Sequence, residues 1–182
     1  MPGQGTWDGF FDPVVCLQKL GLSPDCELVI DFGCGYGTFS LASAAMIEGR
    51  VIALDLEQEM LDVTARQARE RGLENVEYRL RDFVHEGSGE PDGSADYAML
   101  FNILHADEPV TLLSEAKRVV RAGGIVAVMH WNHDENTPRG PDLSIRPTPE
   151  QCIAWAREAG LSWVDKCIHD LPPWHYGLVF TA

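Results

Sequence analysis

The sequence predicts an α/β fold, a mostly parallel sheet with helices packed on both faces. Three observations carry this. Short apolar segments alternate with longer amphipathic ones along most of the 182 residues. The short segments are continuous runs such as Leu28-Val29-Ile30 rather than in/out alternations, as expected of strands covered on both sides. The first run ends in a cluster of glycines, where a strand turns sharply into a helix.

The elements follow in order. A leading helix is expected from about Pro13 to Leu20, within a leader region of residues 1–22. Leu28 to Phe32 is the first strand, and the Gly- and Pro-free segment Thr38–Ile47 a helix on the sheet. Val51 to Leu54 is the second strand. Gln58 to Arg71 is an amphipathic helix with Leu61, Ala65 and Ala68 on one face and Gly72 as its stop. Val76–Leu80 and Tyr97–Leu104 are the third and fourth strands. Val110, Leu113, Ala116 and Val120 line a helix that Gly123-Gly124 ends, and Ile125–Met129 is the fifth strand. Residues 132–147 are polar and rich in Pro and Gly, a candidate lid. Thr148-Pro149-Glu150-Gln151 opens the last helix as a capping box, since Thr and Gln three apart can each satisfy a free N–H. Trp163–Ile168 and Tyr176–Thr181 flank Pro172-Pro173 as a closing antiparallel hairpin. Right-handed crossovers then place ligands beyond the carboxyl ends of the parallel strands.

Composition narrows the function. The formal charge of −14, with only 14 Lys and Arg, opposes a general nucleic-acid partner and an anionic membrane surface. No apolar run reaches the roughly 18–20 residues of a membrane span. The N-terminus lacks the basic and apolar regions of a signal peptide, so a cytoplasmic location is expected. The five cysteines form no C-x-x-C pair and have no zinc spacing, so no metal site is expected.

The segment Asp31-Phe32-Gly33-Cys34-Gly35-Tyr36-Gly37 sits at the first strand-to-helix turn. Two ligand classes compete for it. A dinucleotide fingerprint needs G-x-G-x-x-G, but here Gly37 falls one position early, and the Asp31 carboxylate would repel a pyrophosphate. An acidic residue followed by x-G-x-G-x-G instead resembles the first motif of the class I S-adenosylmethionine-dependent methyltransferases. The chain looks closest to their small-molecule, quinone-biosynthesis-like branch, and the resemblance runs from about Phe10 to Phe180 in element order as well as motif. It implies a single methyltransferase domain over residues 1–182. The sheet is then Rossmann-like and seven-stranded, in order 3-2-1-4-5-7-6, with the last strand antiparallel.

The same resemblance implies S-adenosylmethionine as cofactor, converted to S-adenosylhomocysteine, and assigns residues to it. Asp31, Gly33, Cys34, Gly35 and Gly37 form the loop. Asp55, 24 positions beyond Asp31, accepts from the ribose hydroxyls, although an Asp here also suits a helix cap. Leu56 contacts the adenine edge. Asp82 accepts from the adenine amino group, with Phe83 against the ring; a loop carboxylate and a core ring are the alternatives. Asn102 faces the methionine part.

Methyl transfer is an in-line displacement that depends chiefly on alignment, so no catalytic triad is required, and none is visible. His105, His130, His133 and Tyr176 are candidate bases or acceptor contacts, and His105 and His130 are placed as catalytic because they follow the fourth and fifth strands. Trp131 and the leader aromatics Phe10 and Phe11 are expected to wall the substrate pocket. The expected activity is methyl transfer to a small organic acceptor. A non-catalytic cofactor-binding module and an NAD(P)-dependent oxidoreductase are the alternatives.

Overall fold

The computed structural model describes residues 12–138, 140–164 and 166–182. Eight strands form one sheet: β1 (Leu28–Phe32), β2 (Arg50–Asp55), β3 (Val76–Leu80), β4 (Ala95–Phe101), β5 (Val120–Trp131), β6 (Ser162–Trp163), β7 (His169–Leu171) and β8 (His175–Thr181). Their order is β3-β2-β1-β4-β5-β8-β6, with β7 also paired to β8. The first five run parallel, and β8 lies antiparallel to β5.

The helices are α1 (Pro13–Lys19), α2 (Thr38–Met46), α3 (Gln58–Glu70), α4 (Pro109–Val119) and α5 (Pro149–Glu158). None of them is long and apolar enough to cross a membrane among the described residues. Alternate residues of the central strands feed two cores. Ile30, Ile52, Leu54 and Leu100 pack with Leu112 and Leu113 of α4 and Cys152 of α5. Val29, Val51 and Met99 point the other way, toward Leu17 of α1 and Phe39 and Ala42 of α2. Each fully buried side chain of this size contributes roughly 1.5–3 kcal/mol, so the two-sided burial fixes the register of every central strand. Asp31 shares the α2 side with Val29. That parity brings it to Ser40.

The expected order holds, with one strand broken in two. β6 pairs Trp163 with Phe180, and β7 pairs Leu171 with His175, so both lie end to end on the same edge of β8. Val164 and Ile168, which made the segment look like one strand, are 52% and 44% exposed. Between them Lys166 has φ of +52°, outside the extended range a strand needs.

Two other boundaries move. α4 ends at Val119, because Val120 is already extended and pairs with Ala95. The next pair is Tyr97 with Ile125, so Arg121 to Gly124 bulge out of β5. The glycine pair therefore serves a strand bulge, not a helix stop. A Cβ on Gly124 would meet the Asp96 carbonyl oxygen at 2.8 Å. β4 ends at Phe101 rather than Leu104, since Asn102 turns off the sheet with φ of +58°. The capping box of α5 forms as expected, Thr148 accepting from Gln151 N–H and Gln151 accepting from Thr148 N–H.

Candidate functional site

The glycine turn is tied down on both sides. Gly33 and Cys34 both donate backbone N–H to the Leu54 carbonyl, at 3.0 and 2.9 Å. Gly37, with φ of +80°, starts α2, and a Cβ there would lie 2.5 Å from Thr64 Cγ2. The close approach serves a purpose: Thr64 Oγ1 donates to the Gly35 carbonyl at 3.1 Å, and Gln67 Nε2 to the Tyr36 carbonyl at 3.0 Å. Both residues are buried on α3 together with Leu61 and Ala68 of the face read from the sequence, while Ala65 is half-buried. Two polar residues three apart on an apolar stripe were the signal for this bracing.

Asp55 is buried and does two jobs. Its Oδ2 accepts Gly35 N–H at 2.8 Å and its Oδ1 accepts Glu57 N–H at 3.0 Å. It thereby ties the loop to the first turn of α3. A carboxylate has about four lone-pair sites, so two remain for a ligand's paired hydroxyls. Leu56 beside it is 54% exposed, an apolar surface available to a flat ring. The Cys34 thiol lies 3.9 Å from Asp55 Oδ2, and burial pushes it well above the ordinary thiol range, so it stays protonated.

A cleft opens between the loop, Thr38 and Phe39 of α2, and Phe101 to Ile103 beyond β4. Phe39 and Phe101 form its floor, edge to face at 4.7 Å between ring centroids. Asn102 lines the cleft with its Oδ1 buried and without a hydrogen-bond partner. An orphaned buried acceptor costs roughly 1–3 kcal/mol, so it marks a place where a ligand N–H fits. Asp31 also lines the cleft, 3% exposed, and accepts from Ser40 Oγ at 2.5 Å. These groups suit S-adenosylmethionine: a diol acceptor, an apolar ring surface, an unfilled amide oxygen and a carboxyl group.

Asp82 and Phe83, the residues expected at the adenine, follow β3. Phe83 is 5% exposed, packs edge to face on Phe32 at 5.7 Å, and sits under Gly33. It backs the loop from the core side. Asp82 is half-buried and accepts His85 N–H at 3.1 Å, with the His85 ring nitrogen at 3.0 Å. That backbone bond holds its carboxyl below the usual range.

On the acceptor side, His105 and His130 do come together, His105 Nδ1 lying 3.3 Å from His130 Nε2. His105 lines a surface cavity bounded also by Asp107, Gln151 and Trp155. His130 is fully buried. Burial, and then the neighbouring His105, push its imidazole down to about 3, so it stays neutral. It stands behind His105 as a buried neighbour. Trp131 is 1% exposed, with its ring tilted against His175 at 4.1 Å between centroids and Gly140 close over it, so it packs in the core.

Arg146 explains that cover. Its guanidinium donates to the carbonyls of Asn132, Asp134 and Pro141 and to Thr137 Oγ1, gathering these four residues around one side chain. His133 is bonded to the Arg146 carbonyl and Tyr176 OH donates to the Pro147 carbonyl, so both candidates hold this segment in place. Phe10 and Phe11 lie outside the described residues.

A glycine turn braced from α3, with a carboxyl group ending each of the first two strands, defines an open α/β domain built for an adenosyl-type ligand. The chain belongs to the methyltransferase domain family, whose model matches residues 29–124, and so to the class I S-adenosylmethionine-dependent methyltransferases. It is 39% identical over 134 residues to a 37.1 kDa protein in a transposon of Streptomyces fradiae, covering 72% of this chain and 37% of that protein. It is 33% identical over 106 residues to the demethylmenaquinone methyltransferase of Geobacillus stearothermophilus, covering 55% of this chain and 43% of that protein. The chain thus spans about two fifths of the curated relatives it matches. In fold it is similar to a SAM-dependent methyltransferase from Aquifex aeolicus, with a TM-score of 0.84 and 24% identity over 94% of this chain and 89% of that one. The family match ends at Gly124. His130, Trp131 and the Arg146-gathered segment all lie beyond it.

Proposed function

We propose that this protein transfers a methyl group from S-adenosylmethionine to a small organic acceptor. The observation that carries the reading is the unfilled Asn102 oxygen in the cleft beside the glycine turn, whose Gly35 is held by the Asp55 carboxylate. When bound, the cofactor supplies a methyl carbon already activated by a sulfonium. The chain's part is to hold and align. The loop and Asp55 seat the nucleoside end, Asn102 accepts from the amino-acid end, and the Phe39–Phe101 floor keeps water from beneath it. The acceptor comes from the His105 side, four residues along from the end of β4. The name of the Geobacillus relative and the neutral His105–His130 pair both favour an uncharged acceptor of the quinone-biosynthesis kind.

The test uses binding first and turnover second. A ligand that binds only the folded state raises apparent stability by mass action. S-adenosylmethionine and S-adenosylhomocysteine are expected to raise Tm, and NAD and NADP to leave it unchanged. A shift with NAD alone overturns the reading. Transfer of a labelled methyl group to small acceptors then separates an enzyme from a binding module.

His105→Ala is expected to lower turnover at least tenfold while cofactor affinity stays within twofold, because the loss falls on the acceptor or the transition state. His130→Ala is expected to act in the same direction through His105, with an added loss of stability from its buried position. Equal losses in affinity and turnover for His105→Ala would move that residue to the cofactor side.

A further inference from the structure

Asp31 is a buried acid in a cleft without a cation. Among the described residues lining that cleft there is no Lys, Arg or His. The charged group acting on Asp31 is another acid, Asp55 from β2; Ser40 approaches from α2, and its sheet neighbours Ala53 and Met99 are uncharged. Cys34 in the loop stays a thiol. A carboxylate removed from water with no opposite charge tends to take a proton rather than remain ionised. Here burial outweighs the Ser40 hydrogen bond, and together with the Asp55 charge it moves the Asp31 carboxyl up to about 7.

Ser40 makes the ionised form ready. It is fully buried, and its hydroxyl donates to Asp31 Oδ2 at 2.5 Å, so a proton on the carboxyl sits on Oδ1 and its loss leaves this bond in place. We propose that Asp31 and Ser40 form a proton-exchanging clasp for the cofactor: Asp31 carries a proton until the positively charged cofactor enters, and then releases it to solvent. The carboxylate so formed keeps the Ser40 hydrogen bond and faces the cofactor's positive charge, and no other bond is made or broken. Ser40 is a positioning residue, acting only through Asp31. This rests on the reading of the cleft as an S-adenosylmethionine site, and it adds that the site reads the ligand's charge by exchanging a proton.

The sign follows from linkage. The complex binds fewer protons than the free protein below the free Asp31 pKa, so affinity rises with pH up to about 7 and levels off above it. The same raised carboxyl makes the ligand-free fold lose stability as pH rises from the unfolded value toward 7.

The experiment is titration calorimetry of S-adenosylmethionine into the whole protein, in buffers of differing ionisation heat. At about pH 6 close to one proton is expected to leave per cofactor bound, and at about pH 8.5 close to none from Asp31. Affinity should rise by up to roughly tenfold per pH unit below the midpoint. Asp31→Asn should abolish this release; any protons still exchanged in that variant belong to the ligand's own amine and are subtracted. Ser40→Ala should move the release window upward by about one pH unit, which a purely structural serine would not do. If Asp31→Asn fails to fold, the Ser40→Ala window decides. Binding with no buffer dependence at pH 6 overturns the clasp and leaves the methyltransferase reading standing. No binding of S-adenosylmethionine at any pH overturns both.

Discussion

Asp55→Ala is expected to weaken S-adenosylmethionine binding by a hundredfold or more. Two charge-assisted hydrogen bonds to a ribose diol, on the order of 1.5–3 kcal/mol each, would be lost together. The loss does not stop at the ligand. The same carboxylate accepts from Gly35 N–H and Glu57 N–H, so its removal also frees the loop from α3. Denaturant unfolding should accordingly show the variant less stable by roughly 1–3 kcal/mol, the cost of leaving buried donors unpaired. Asp55→Asn separates the two roles, since one amide oxygen can still accept but the charge is gone. A variant that is destabilised yet binds cofactor within twofold of the parent would show that Asp55 serves the fold alone.

Gly37→Ala is expected to cost the fold about 2–5 kcal/mol. An L-residue at φ of +80° is strained by roughly 1–2 kcal/mol. In addition the new methyl would lie 2.5 Å from Thr64 Cγ2 and 2.7 Å from its Oγ1. Thr64 has little room to yield, because it is buried and its hydroxyl braces Gly35. Overpacking of this kind adds about 1–3 kcal/mol. Urea unfolding of Gly37→Ala, Thr64→Ala and the double variant measures the clash directly. The double variant should recover part of the loss, as residues in contact couple. Additive losses would mean that Gly37 is needed for its backbone conformation only.

The alternation of short apolar runs with amphipathic helices fixed the architecture in advance. Side-chain parity along β1 decides which residues meet α2 and which meet α4, and parity is a local property of the chain. The Asp31–Gly37 turn and the Asp55 position were legible for the same reason: a strand end and a helix start sit next to each other in sequence. Thr148 and Gln151 are three apart, so their reciprocal cap could be named before any fold was known.

Features that depend on distant partners were not legible. Gly123-Gly124 looks like a helix stop, but Val120 pairs with Ala95 and turns the glycines into a strand bulge. Trp131 packs against His175, which the local sequence does not show. Nothing near Arg146 in sequence shows that its guanidinium collects the carbonyls of Asn132, Asp134 and Pro141. The sequence by itself determined the order of strands and helices, the glycine turn and the two strand-end acids, because apolar periodicity and backbone conformation are set locally. Tertiary structure alone decided which polar groups are buried together: Thr64 and Gln67 under the loop, His105 against His130, and Ser40 on Asp31. Those meetings join residues on different elements, and only close packing brings them within hydrogen-bond reach.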